Sequence, residues 1–308
     1  MKPLKPWRSY EKQLQRLQGR GLLVEDVAAA TDYLQRIGYY RLSGYWYPLR
    51  VIDASDSEAR QRLDEFMPGS RFEDVARLYV FDKKLRLLAL DALERIEMAV
   101  RVDVAYLLGK YDPCAHELPK YLHGNFAKKK MRNGRTKHEL WLSKYERARQ
   151  RARKQPFIEH HAQEYGGSLP IWVAIEIWDF GLLSHLFAGM QHHDKQIIAE
   201  NYGAPDGQAF AQWLRSLNFI RNVAAHHSRL WNINVPELSA SPPTWPRALR
   251  HERPFFYFCI MQQLLKVICP TSSWGQRLQR LLNEEFPKRF DLDGLGTFEN
   301  WETWSLWQ

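Results

Sequence analysis

The sequence predicts an all-α fold. Three observations carry this: apolar residues recur at spacings of three and four, alternating strand patterns are nearly absent, and Gly, Pro and Ser/Asp breakers separate the periodic segments. Leu14 to Leu23 and Val27 to Ile37 read as two short helices, with Leu22, Val27, Ala30, Leu34 and Ile37 facing inward. Gly38 ends the second, and Tyr39 to Pro48 follows as a turn-rich aromatic segment. Residues 53 to 65 are charged and read as a surface loop or short helix. Phe72 to Leu108 is the longest helix: Val75, Leu78, Leu85, Ala89, Ala92, Ile96, Val100 and Val104 repeat along it, and no Pro or Gly occurs before Gly109.

Residues 112 to 137 contain Pro113, Pro119, Gly124 and Gly134 and read as loop, followed by a basic helix from Leu140 to Lys154. Ser168 and Pro170 mark a helix start as N-cap and first-turn proline, with a break expected at Gly181. A helix over about 182 to 201 follows, and Asp206 caps another over about 207 to 230. Pro236 to Pro246 is a proline-rich loop, and Phe255 to Ile268 and Gln276 to Phe286 are the last helices before a tail bearing Trp301, Trp304 and Trp307. The expected division is an N-terminal helical region over 1–70 and a helical domain over 71–308, with a basic insert at about 112–154.

Length and composition narrow the function. A chain of 308 residues with 45% hydrophobic residues buries a core and is not disordered. It carries 44 Lys+Arg against 35 Asp+Glu, a net charge of +9, which points to an acidic partner such as nucleic acid. The surplus is local: residues 128 to 154 hold 12 Lys/Arg and two acids, leaving 32 basic and 33 acidic residues elsewhere. Trp141 and Tyr145 are interleaved with these charges, four apart on one helix face. Aromatic rings stack bases while Lys and Arg hold phosphates, so an RNA-binding surface is expected from Lys128, Lys129, Lys130, Arg132, Arg135, Lys137, Trp141, Lys144, Tyr145, Arg147 and Arg151. Arg41 is a further candidate contact within the aromatic segment, whose alternative role is a small packing core.

Other chemistries find little support. Cys114, Cys259 and Cys269 are odd in number and widely spaced, unlike a disulfide framework or zinc ribbon. His192-His193-Asp194 lacks a third ligand at useful spacing, so no metal or other cofactor is expected. The first residues lack a signal peptide's apolar stretch, and Phe255 to Cys269 is too short and polar to span a bilayer, so a cytoplasmic location is expected.

The segment from Trp213 to Asn232 is the most informative. Phe210, Trp213, Leu214, Leu217, Ile220 and Ala224 form one apolar stripe, and Arg221 lies within about 50° of its centre at 100° per residue. A guanidinium there must be paired or functional, and Glu94 or Glu97 is a candidate structural partner. Otherwise Glu94, Glu97 and Arg101 read as a helix-stabilising charge row.

Arg221-Asn222-Val223-Ala224-Ala225-His226 resembles the Arg-polar-x-x-x-His signature of HEPN-superfamily ribonucleases. The longer block Leu217 to Asn232 resembles the Abi-like abortive-infection family of the AbiD/AbiF type. So do Arg20-Gly21-Leu22, Gly38 to Trp46, Tyr79 to Arg86, Glu94 to Arg101 and Trp172 to Gly181. The resemblance implies a HEPN-type helical bundle in a phage-defence protein that cleaves RNA without metal, by 2′-OH attack on the adjacent phosphate. His226 would then transfer the proton, Arg221 stabilise the phosphate charge, Asn222 orient either partner, and His227 be a second candidate base. Arg221 and His226 lie about 140° apart on an ideal helix. Either the long Arg221 wraps round the helix, or the helix is distorted, or two protomers pair their motif helices; the resemblance implies the last, a homodimer with one composite cleft. The alternative is a catalytically silent RNA-binding module held by a structured non-coding RNA or a protein antitoxin.

Overall fold

A computed structural model describes residues 4, 6–53 and 61–308 of the chain. The described residues divide into two compact units, Met1–Leu85 with Leu278–Leu292, and Arg86–Arg277 with Asp293–Gln308.

The first unit starts with α1 (Tyr10–Gln18), capped by Ser9, and α2 (Val27–Arg36), capped by Asp26. The aromatic stretch expected as turn is a helix, α3 (Tyr39–Trp46). Its apolar residues fall at helical spacing, so Leu42, Tyr45 and Trp46 are buried together and outweigh the turn-like composition. The Tyr45 hydroxyl donates to Asp82 at 2.7 Å within this core. A second difference is a small antiparallel sheet, β1 (Arg50–Ile52) and β2 (Arg62–Phe66), where loop or helix was expected over 53 to 65. Residues 54–60 of that stretch lie outside the described residues. Leu278–Leu292 closes the unit: Phe286 packs edge-on against Phe81, and Arg289 donates to the Pro68 carbonyl at 3.0 Å.

Helix α4 (Phe72–Gly109) contributes residues to both units. In the second unit, α5 (Gly124–Ala127) interrupts the expected 112–137 loop. It is followed by α6 (Lys137–Ala152), which starts earlier than expected because Thr136 and Glu139 form a capping box. Next come α7 (Pro156–Tyr165) and α8 (Ile171–Ala174), where Pro170 rather than Ser168 is the N-cap. The helical path breaks at Trp178, not Gly181, because Asp179 caps α9 (Phe180–Gly189), accepting from the Leu182 amide at 2.7 Å. The expected 182–201 helix is thus two, α9 and α10 (His192–Asn201). α11 (Gly207–Ala225) is capped by Asp206, and α12 (Pro254–Ile268) is buried along most of its length. α13 (Trp274–Glu284) completes the helices.

The apolar stripe of α11 is fully buried: Phe210, Trp213, Leu214, Leu217, Ile220 and Ala224 are each at most 1% exposed. Burying such side chains is worth roughly 1.5–3 kcal/mol each, so α11 is a principal core element of its unit. The proline-rich loop is fastened to it. Trp213 Nε1 donates to the Ala240 carbonyl at 2.7 Å, and Ser216 and Tyr257 hydroxyls donate to the Glu237 carbonyl at 2.9 and 3.0 Å. The tail docks too: Trp301 and Trp307 are buried against Phe255. The all-α expectation holds, with β1–β2 the one sheet among the described residues. No helix among them is long and apolar enough to cross a membrane.

Candidate functional site

The end of α11 departs from the expected continuous helix to residue 230. The helix stops at Ala225, His226 is its C-cap, and His227 takes the left-handed conformation at φ 58°. The His227 amide donates to Ala224 at 3.1 Å and the Ser228 amide to Val223 at 2.9 Å. These two reversed bonds define a Schellman turn, in which the left-handed residue is usually glycine. A histidine there is strained by about 1–2 kcal/mol. The turn lifts His226 and His227 off the helix cylinder, and both are exposed. Asn222 is exposed one turn earlier.

Arg221 is half-buried and faces α4. It lines a cavity of about 340 Å³ with Leu93, Glu94, Glu97, Met98 and Arg101. Its guanidinium contacts the Asn222 side-chain carbonyl at 3.4 Å. Glu97 and Arg101 form an ion pair whose side chains are each only 12% exposed, and Arg101 also donates to the Trp178 carbonyl. Burial pushes the Glu97 carboxyl above the usual carboxylate range, while the nearby Arg101 and Arg221 charges pull it down. Asp179, at the α9 N-terminus, opposes them. Two guanidinia, Arg101 and Arg221, thus converge on the buried Glu97 carboxylate, with Glu94 in the same cavity and Asp179 nearby. Glu97 was expected either as a structural partner of Arg221 or, with Arg101, as part of a charge row. Their i, i+4 spacing gave no sign that α9 and α11 converge on them.

The basic segment is exposed as expected at Lys128, Lys129, Lys130, Arg132, Arg135, Lys137, Lys144, Arg147 and Arg151, and Arg41 is exposed on α3. Trp141 and Tyr145 are not base-stacking platforms. Each is 2% exposed, they stack on each other at 5.4 Å, and both meet His116 edge-on. Trp141 Nε1 donates to the Leu182 carbonyl at 2.9 Å. The i, i+4 pair that looked like a binding face is the seam by which α6 packs on α9. On the outer side of that seam, Lys137 and Lys144 line a cavity of about 460 Å³ together with His185 of α9 and Arg215 of α11. Arg215 pairs with Glu237 at 3.0 Å. The basic helix and the motif helix therefore share one wall, six residues from Arg221. Asp194, weighed as a metal ligand, is buried and accepts from the Tyr111 hydroxyl at 2.7 Å.

Fold and site together define a helical protein in which helix α11 sets Arg221 against the Glu97–Arg101 pair of α4 and ends in an exposed, strained histidine turn. The chain belongs to the Abi-like protein family, whose model matches residues 32–232 of the 308. No curated protein and no solved structure matches it. The matched region holds the α4, α9 and α11 segments that meet at Glu97, Asp179 and Arg221. Family membership points to abortive infection, a phage-defence role.

Proposed function

We propose that the protein is an abortive-infection endoribonuclease of HEPN type that cleaves RNA without metal. The observation that carries this reading is the placing of a half-buried Arg221 on the same helix whose end presents His226 and His227 on an exposed turn. In this reading the Arg221 guanidinium stabilises charge on the scissile phosphate oxygens. Asn222, in contact with that guanidinium, fixes its orientation. His226 takes the 2′-OH proton or delivers one to the leaving 5′-oxygen, and His227 is the second candidate for that task. The products are a 2′,3′-cyclic phosphate and a 5′-hydroxyl. RNA is drawn in by the exposed cations of residues 128–151, whose cavity with Arg215 leads toward the motif helix.

A homodimer that brings two motif helices together would supply Arg and His from facing copies. In support, α4 carries the exposed apolar side chains Leu87, Met98, Val102 and Tyr106, and Met98 borders the Arg221 cavity. A second reading, an RNA-binding module without catalysis that is held by a structured RNA or antitoxin, draws on the same exposed basic segment. Incubation of the purified protein with total RNA in EDTA separates the two. Cleavage leaving cyclic-phosphate ends, lost in both Arg221→Ala and His226→Ala with folding intact, is the expected result. Cleavage retained in both variants would sink the catalytic assignment.

A further inference from the structure

The N-terminal unit contains a second candidate site, unrelated to the α11 turn. Residues of α1, α3, β1 and β2 surround a cavity of about 560 Å³. That volume lies within the range of small-molecule sites, about 300–1,000 Å³.

Its charge is unbalanced. Arg20 and Arg50 have side chains only 13% and 16% exposed, and both pair with Asp64, Arg50 at 3.3 Å. Arg16 approaches the same carboxylate at 4.0 Å. Among the described residues lining the cavity, Asp64 is the one carboxylate against Arg8, Arg16, Arg20 and Arg50, so positive charge is in excess in a partly desolvated recess, and such charge is costly unless an anion joins it. The Arg50 Nε is buried with no hydrogen-bond partner. So is the side-chain oxygen of Gln13, whose nitrogen is committed to the Arg8 carbonyl at 2.9 Å. A buried donor and a buried acceptor without partners, both on side chains lining one cavity, fit a ligand that supplies the complement of each.

The rim is aromatic. Tyr40 is 92% and Trp7 87% exposed, a large apolar area left in water. Tyr47 stands nearby with the Arg50 guanidinium 5.8 Å from its ring centre. Exposed rings beside guanidinia form a platform on which a base stacks while its phosphate is neutralised.

We propose that this cavity binds a nucleoside 5′-phosphate unit. Its phosphate lies on Arg16, Arg20 and Arg50, its base stacks against Tyr40 and Trp7, and the Gln13 carbonyl accepts from a base amine. The unit is either a free nucleotide or one residue of a single-stranded RNA. The site stands apart from the cleavage chemistry assigned to α11.

Calorimetric titration of the full chain with AMP, with inorganic phosphate and with a 5′-phosphorylated single-stranded oligoribonucleotide tests this. The two variants are Tyr40→Ala, at a fully solvated ring, and Arg16→Gln, at a side chain 40% exposed. The expected result is AMP binding that quenches tryptophan fluorescence and weakens tenfold or more in each variant. Oligonucleotide binding tighter than AMP and displaced by it identifies an RNA strand as the source, and AMP binding tighter than the oligonucleotide identifies a free nucleotide. The proposal is overturned if wild type binds neither, if both variants bind as wild type does, or if inorganic phosphate binds as well as AMP. RNA cleavage by the same preparations reports on α11 separately.

Discussion

His227 offers a test in which backbone strain and side-chain chemistry pull apart. At φ 58° a residue with a Cβ costs about 1–2 kcal/mol, and glycine costs nothing sterically. Glycine gives back roughly 0.5–1 kcal/mol through the greater freedom of its unfolded chain. His227→Gly is therefore expected to be more stable than His227→Ala by about 0.5–1 kcal/mol. Both variants lack the imidazole, so whatever that ring touches cancels in the comparison. For a unit of this size each kcal/mol moves Tm by roughly 2–4 °C, giving glycine an advantage of about 1–4 °C by scanning calorimetry. RNA cleavage is measured on the same preparations. If His227 moves a proton, both variants lose activity together despite their different stabilities; if it only shapes the turn, activity follows stability. An alanine variant that melts at or above the glycine variant would refute the left-handed turn, and the presentation of His226 would fall with it.

Three further outcomes follow from the same geometry. Burial raises the Glu97 pKa above its ordinary 4.5, so its stabilising effect is present below that value and is lost as pH climbs toward the raised one. Arg221→Ala removes one of the charges that holds it down, so the Glu97 carboxyl carbon should titrate at higher pH by NMR, and an unmoved titration would place Arg221 away from it. Converting Lys128, Lys129, Lys130 and Arg132 to Glu should weaken RNA binding. Removing four phosphate contacts at about 0.7 each should also flatten the log K against log salt slope by about 3, and an unchanged slope would discard this segment as an RNA contact. Trp141→Ala should cost about 3–5 kcal/mol in thermal unfolding, because the ring is a core element; a stable variant that merely bound RNA less well would restore the stacking reading.

The long helices were legible because burial on one side imposes a period on many residues. α4, α11 and α12 each span enough turns for that period to dominate their composition. α3 was not legible: five of its eight residues are Tyr, Gly or Ser and look like a turn, and only the tertiary burial of Leu42, Tyr45 and Trp46 makes the segment helical. β1 and β2 are short and charged, and pair across residues that carry no hairpin signature. In the site, the Arg221–His226 spacing was visible in one segment and Glu97 was a candidate partner of Arg221, whereas Arg101 and Asp179 join them only through packing of α4 and α9 on α11. Trp141 and Tyr145 show the converse limit. A face of aromatics among lysines has the same spacing whether it meets a base or a neighbouring helix, and the burial of the rings decides between them.

The N-terminal unit is not contiguous in sequence, and this sets an order of events during synthesis. Its first portion ends at Leu85, but the Phe286 ring that packs on Phe81 and the Arg289 that holds the Pro68 carbonyl arrive only with Leu278–Leu292. At about 5–20 residues per second, the roughly 190 intervening residues take some 10–40 s to translate. Through that interval the nascent N-terminal unit waits on the ribosome without its last segment, and His226 and His227 are translated before that segment arrives. A chain stalled or cut between residues 232 and 278 would hold His226 and His227 but lack the segment that completes the N-terminal unit.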